Sequence, residues 1–76
     1  MEIKVYSTPT CPYCVMLKDY LTAKGVVYQN FDIAQDDTAR EEMVKISGQM
    51  GVPVIAIDGK IIVGFDKNKI EALLKS

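Results

Sequence analysis

Histidine is absent from the 76 residues, arginine occurs once, at Arg40, and cysteine twice, at Cys11 and Cys14. Without histidine no imidazole can serve as acid, base or ligand. Two thiols alone fall short of the four ligands of a mononuclear zinc site, so no metal site is expected. Nine basic residues face ten acidic ones, for a net charge of −1, and no basic cluster exceeds two residues in five. That excludes a nucleic-acid footprint. The longest uncharged stretch, Val5 to Leu17, is 13 residues and carries Pro9 and Pro12, too short and too broken to span a membrane. The opening Met1-Glu2-Ile3-Lys4 lacks the apolar run of a signal peptide. The expectation is a cytoplasmic monomer with no membrane partner.

Apolar residues make up 49% and charged residues 25%, a globular composition rather than a disordered one. With no repeat or linker, residues 1–76 are expected to form a single domain around one core. Glu2 to Tyr6 alternates and predicts a strand with Ile3 and Val5 on one face. Ser7-Thr8-Pro9-Thr10 is turn chemistry, and Pro12 suits the first position of a helix ended by Gly25. Val26 to Ile33, β-branched and aromatic, predicts a second strand, parallel to the first because a helix joins them. A second helix opens near Gln35-Asp36-Asp37 and closes at Gly48, with the cap left open among Asp36, Asp37 and Thr38. Val54–Ile57, Asp58-Gly59 and Lys60–Val63 specify a hairpin with a primed two-residue turn. Asp66 caps a last helix, with Phe65 placed to staple onto Ile70. The order β-α-β-α-β-β-α describes an α/β fold, a four-stranded mixed sheet flanked by three helices.

Cys11-Pro12-Tyr13-Cys14 falls at a strand-to-helix junction inside a βαβ unit, the setting of a redox pair. Unpaired N–H groups and the positive end of the helix dipole stabilise a thiolate there. Such placement lowers a thiol from a pKa of about 8.5 to about 3.5–7.5. The spacing puts Cys11 at the cap and Cys14 one turn in, close enough to form a ring. Cys11 is thus the candidate nucleophile and Cys14 the candidate resolving thiol. A structural disulfide closing so short a loop would remove little unfolded-state entropy. Inert core thiols fit poorly with a Pro-Tyr pair between them at a helix start.

With these residues in place, the chain resembles a glutaredoxin. The resemblance rests on Cys11-Pro12-Tyr13-Cys14, on Tyr6-Ser7-Thr8-Pro9-Thr10 before it, and on Gly51-Val52-Pro53 and Gly64-Phe65-Asp66. It implies a thioredoxin-like fold, a thiol–disulfide oxidoreductase, and reduction of protein disulfides or glutathione mixed disulfides. It implies no permanently bound cofactor, with glutathione as reductant or co-substrate. It further implies a cis Pro53 facing the cysteines, Val52 backbone groups pairing with the cysteinyl part of glutathione, and Tyr13 flanking the tripeptide. Gln49 would reach its glycine carboxylate, and the helix start at Phe65 and Asp66 would hold its γ-glutamyl end.

Thr8 stands where glutaredoxins usually carry lysine, Met50 where a positive residue often precedes the proline loop, and Lys67 where an acidic residue follows the aspartate. Gly64-Phe65 resembles instead the glutaredoxin-like electron donors of ribonucleotide reductase, which draw on thioredoxin reductase. That role, as a thioredoxin-reductase-coupled donor to a protein, is the alternative. An iron–sulfur cluster bridging two subunits is a third possibility, opposed by the stiffening Pro12.

Overall fold

The computed structural model describes residues 2–75, which form β1 (Ile3–Ser7), α1 (Pro12–Ala23), β2 (Gln29–Asp32), α2 (Asp37–Ser47), β3 (Val54–Ile57), β4 (Lys60–Val63) and α3 (Lys67–Leu74). The strands lie in the order β2-β1-β3-β4. β2 runs parallel to β1, while β1–β3 and β3–β4 are antiparallel. This is the four-stranded mixed sheet expected from the element order, in the thioredoxin-like arrangement that the resemblance implied.

Strand alternation divides the core between the two faces of the sheet. On one face Ile3, Val5, Ile55, Ile57 and Ile62 pack with Leu17 and Leu21 of α1 and Ile70 of α3. On the other, Tyr6 and Val54 pack with Ile33 and with Ala39 and Met43 of α2. Phe65 packs against the first cluster, which contains Ile70.

Local chain chemistry sets the element ends. Asp36, rather than Thr38, caps α2: its Oδ1 accepts the Ala39 N–H at 3.0 Å. Gly48 ends that helix at φ +72°, where any Cβ would be strained. Asp58 and Gly59 both take positive φ, at 48° and 86°, giving the primed turn that matches strand twist.

One expected boundary moves. The second strand begins at Gln29, not Val26, because pairing with β1 starts at Lys4↔Gln29. Val26 is tied to α1 through its N–H to Leu21 O at 3.3 Å, and Val27 is left 89% exposed. β-branched residues here serve the approach to the sheet rather than the ladder.

This topology positions the site. Antiparallel pairing of Tyr6 with Val54 sets the start of β3 beside the end of β1. The loop before β3 therefore meets the loop that leads into α1.

Candidate active site

Cys11 is the N-cap of α1, in extended backbone at φ −92° and ψ 115°, with Pro12 in the first turn. Its Sγ takes the place that a serine or aspartate oxygen fills in an ordinary cap, accepting the Cys14 N–H at 3.3 Å. A sulfur so placed receives a backbone donor and the positive helix end together, and both favour negative charge on it. No acidic residue lies in the first turn to oppose that field.

Cys11 is partly exposed and Cys14 wholly buried; both are free thiols. Burial pushes the Cys14 thiol up to about 11, and hydrogen bonding to Cys11 and the charge of Cys11 add to the rise. A backbone hydrogen bond from Thr8 and the positive charge of Lys18 act in the opposite direction. The pair is therefore asymmetric: one sulfur reaches solvent, and the other keeps its proton and sits behind it.

Across from Cys11 lies the loop before β3. The Val52–Pro53 bond is cis, as the resemblance implied, and the Cys11 thiol lies 3.9 Å from Val52 O. The Val52 N–H has no acceptor among the described residues. An extended chain laid beside Val52 would find that donor free.

The remaining candidates fall into two groups. Tyr13 stands 62% exposed, two residues beyond Cys11. Phe65 packs edge-on against Tyr20, ring centroids 5.8 Å apart, and Asp66 caps α3 through the Lys69 N–H at 3.2 Å. The Lys67 and Asn68 N–H groups of that first turn have no acceptor among the described residues, leaving a donor pair for an anion.

Gln49 is arranged differently from the expectation. Its Nε2 donates to Gly51 O at 3.0 Å and to Ser47 Oγ at 3.3 Å, and its Oε1 accepts the Gly51 N–H. Both amide hydrogens are engaged within the loop. The side chain thus shapes the approach to Val52–Pro53, and contact with a ligand carboxylate would require one of these bonds to open. Gly51 in place of a larger residue makes this possible, since a Cβ there would lie 2.7 Å from Gln49 Oε1.

Two interactions escaped sequence reasoning. Tyr6, read only as a strand residue, donates its hydroxyl to Glu42 Oε1 at 2.7 Å, linking β1 to α2. Ser7, read as turn chemistry, is buried and donates its hydroxyl to Asn30 Oδ1 at 2.8 Å. Neither partner is near in sequence, so no local signal could have paired them. A groove of about 370 Å³ lined by Glu2, Lys4, Tyr6, Glu42, Ile46 and Ile61 contains neither cysteine.

The glutaredoxin family model matches residues 3–62. An uncharacterised glutaredoxin-like 8.6 kDa protein in the rubredoxin operon of Clostridium pasteurianum is 52% identical over 73 residues, covering 96% of this chain and 97% of that protein. Glutaredoxin 3 of Escherichia coli strain K12 is 44% identical over 65 residues, covering 86% of this chain and 78% of that one. Among solved structures, the glutaredoxin from Archaeoglobus fulgidus superposes with a TM-score of 0.91 at 26% identity, over 99% of this chain and 87% of that one. A buckwheat glutaredoxin–glutathione complex gives 0.78 at 28% identity, over 96% and 73%.

Proposed function

This chain belongs to the glutaredoxin family, a class of thiol–disulfide oxidoreductases, and on that premise we propose that it reduces disulfides through a Cys11/Cys14 dithiol with glutathione as the reductant. The observation that carries the proposal is the half-exposed Cys11 sulfur at the α1 cap, holding the Cys14 N–H at 3.3 Å opposite the Val52 carbonyl.

The Cys11 thiolate attacks one sulfur of a substrate disulfide. A Cys11–substrate disulfide forms and the other substrate sulfur leaves as a thiolate, which takes a proton from solvent. Cys14 then attacks the Cys11 sulfur, its proton passes to the departing substrate sulfur, and the Cys11–Cys14 bond closes. Two substrate thiols are released as the protein pair loses two electrons. Two glutathione thiols reverse that oxidation and leave as glutathione disulfide.

The asymmetry of the pair serves this order. Two of the influences that hold the proton on Cys14 are its hydrogen bond to Cys11 and the Cys11 charge. Both disappear once the Cys11 sulfur is in a mixed disulfide, so Cys14 becomes easier to ionise at the step that needs it.

Glutathione as co-substrate is supported by the similarity to glutaredoxin 3 and to the buckwheat complex, by the free Val52 N–H, and by the donor pair at the start of α3. In the proposed pose Tyr13 flanks the tripeptide, the backbone at Val52–Pro53 pairs with its cysteinyl unit, and the turn at Phe65–Asp66 receives its γ-glutamyl end. Gln49 acts by holding the loop.

Uncharged Thr8 and Met50 favour a second reading, a donor to a protein disulfide recharged by thioredoxin reductase. The test supplies a small glutathione mixed disulfide with NADPH and either glutathione plus glutathione reductase or thioredoxin reductase alone. Turnover only with glutathione supports the proposal. Turnover only with thioredoxin reductase replaces it with the second reading.

A further inference from the structure

We propose that Met50 is a specificity-determining residue, giving the Cys11 site a preference for disulfides in protein segments with apolar side chains beside the reacting cysteine. The proposal rests on Cys11 being the nucleophile of the dithiol chemistry above, and it names the class of substrate which that sulfur receives.

The loop before β3 is clamped across its apex. The Gln49 side chain donates to Gly51 O at 3.0 Å and accepts the Gly51 N–H, so residues 49 and 51 are tied together with Met50 between them. A further Gln49 bond, to Ser47 Oγ at 3.3 Å, fixes the base of the loop. Met50 itself is left 67% exposed. Two residues farther on, the Val52 carbonyl lies 3.9 Å from the Cys11 sulfur. Two residues of extended chain span at most about 7 Å, so the Met50 Cα is no farther than that from the Val52 Cα. A large apolar side chain is thus displayed to solvent beside the reacting sulfur, on a loop that its neighbours hold in shape.

The α1 side of the site is apolar as well. Val15 follows Cys11 by one helical turn, its N–H bonded to Cys11 O at 3.2 Å, and it is 47% exposed. Among the described residues, the other large apolar side chains left exposed are Tyr13 and Met16, on the same stretch of α1, and Val27, Ile46 and Val63, which lie apart before β2, on α2 and on β4. Exposed apolar surface therefore gathers around Cys11. Charge is missing there too: Val5 to Leu17 and Ile46 to Ile57 are the two longest uncharged stretches of the chain, and they are the segments that meet at the sulfur.

Whatever covers this surface must bring a disulfide to Cys11, which commits the occupant to the chain that carries the disulfide sulfur. The Val52 N–H, with no acceptor among the described residues, offers an extended segment a backbone hydrogen bond. Side chains beside its cysteine then meet Met50 and Val15. Apolar ones remove both from water, and polar ones do not. An unbranched thioether adapts to differently shaped apolar partners, which suits a site serving more than one protein.

The experiment uses the reduced full-length protein and two neutral peptides, acetyl-Leu-Cys-Leu-amide and acetyl-Ser-Cys-Ser-amide, each joined through its cysteine to 2-thiopyridine by a disulfide. The Cys11 thiolate bonds to the peptide sulfur and the peptide–pyridyl S–S bond breaks. The pyridinethiolate leaves, takes a proton from solvent and is followed by absorbance. Each second-order rate is divided by that of 2-mercaptoethanol with the same peptide.

The leucine peptide is expected to react about fivefold faster than the serine peptide on this scale, as partial burial of a leucine allows. Met50→Ala should bring that ratio down to about twofold or less, and Met50→Leu should retain it. A loop merely disturbed by substitution slows both peptides alike, so the ratio isolates the side-chain contact. Equal rates for the two peptides with the wild type, or a ratio that Met50→Ala leaves intact, overturns the proposal. Release that persists in Cys11→Ser refutes instead the nucleophile assignment on which it rests.

Discussion

The raised Cys14 thiol carries a stability consequence with a defined pH window. In the folded, reduced protein this thiol titrates near about 11, against an ordinary value of 9.0, chiefly because burial opposes the charge. Below pH 9 both folded and unfolded chains hold the proton, and the full contribution of the neutral buried thiol is present. As pH rises from about 9 to about 11 the unfolded chain releases the proton while the folded chain retains it, so unfolding is increasingly favoured. Above that window both states are ionised and the loss levels off. Two units at about 1.4 kcal/mol each amount to about 3 kcal/mol. For a chain of this length total stability is about 4–11 kcal/mol, so the effect is a large share. Urea unfolding of the reduced protein should be followed across pH 8–12 for the wild type and for Cys14→Ser. Tyr6, whose hydroxyl is also held protonated by burial and Glu42, titrates in both proteins and drops out of the difference. The wild type should lose about 2 kcal/mol more than the variant between pH 9 and 11, the rest of the full loss falling outside that window. Parallel curves through that window would refute the assignment of a buried, proton-retaining Cys14.

Other consequences follow from single contacts. Leu17→Ala, at a wholly buried position between α1 and the sheet, should cost about 2–5 kcal/mol in urea unfolding. Asp66→Ala removes the acceptor of the Lys69 N–H and should lose about 1 kcal/mol, whereas Asp66→Asn should retain most of it. If Asp66 also meets glutathione, both variants should raise KM for a glutathione mixed disulfide, separating binding from capping. Gly51→Ala drives a Cβ to 2.7 Å from Gln49 Oε1, so it should slow turnover by displacing that side chain. Adding Gln49→Ala to it should make no further difference, a non-additivity visible in a double-mutant cycle.

The parts of this protein that could be read along the chain are those whose causes lie within a few residues. Asp58-Gly59 supplies the two positive φ values of a tight hairpin, Pro12 and Cys11 mark a helix start, and Asp66 caps whatever follows it. From these the element order follows, and with it the parallel pairing of the first two strands, because a helix joins them; the thioredoxin-like strand order was implied by the resemblance. The second strand starts three residues later than its side chains suggest, for the converse reason. Val26, Val27 and Tyr28 have the side chains of a strand, but ladder pairing is decided by register against β1, which begins only at Gln29.

The site divides along the same line. The residues 11–14 tetrad and its place at the head of a helix are properties of the sequence alone, since neighbouring residues and backbone preference create them. The asymmetry of the two sulfurs, the Val52 carbonyl opposite Cys11, the Gln49 side chain folded onto Gly51, and the Tyr6–Glu42 bond required the fold to assemble. Each joins chain segments, or commits a side chain with several possible partners, in a way settled only when β3 pairs with β1 and the helices close over the sheet. Burial and long-range proximity are properties of that packed arrangement, and they decide which thiol is exposed and which keeps its proton.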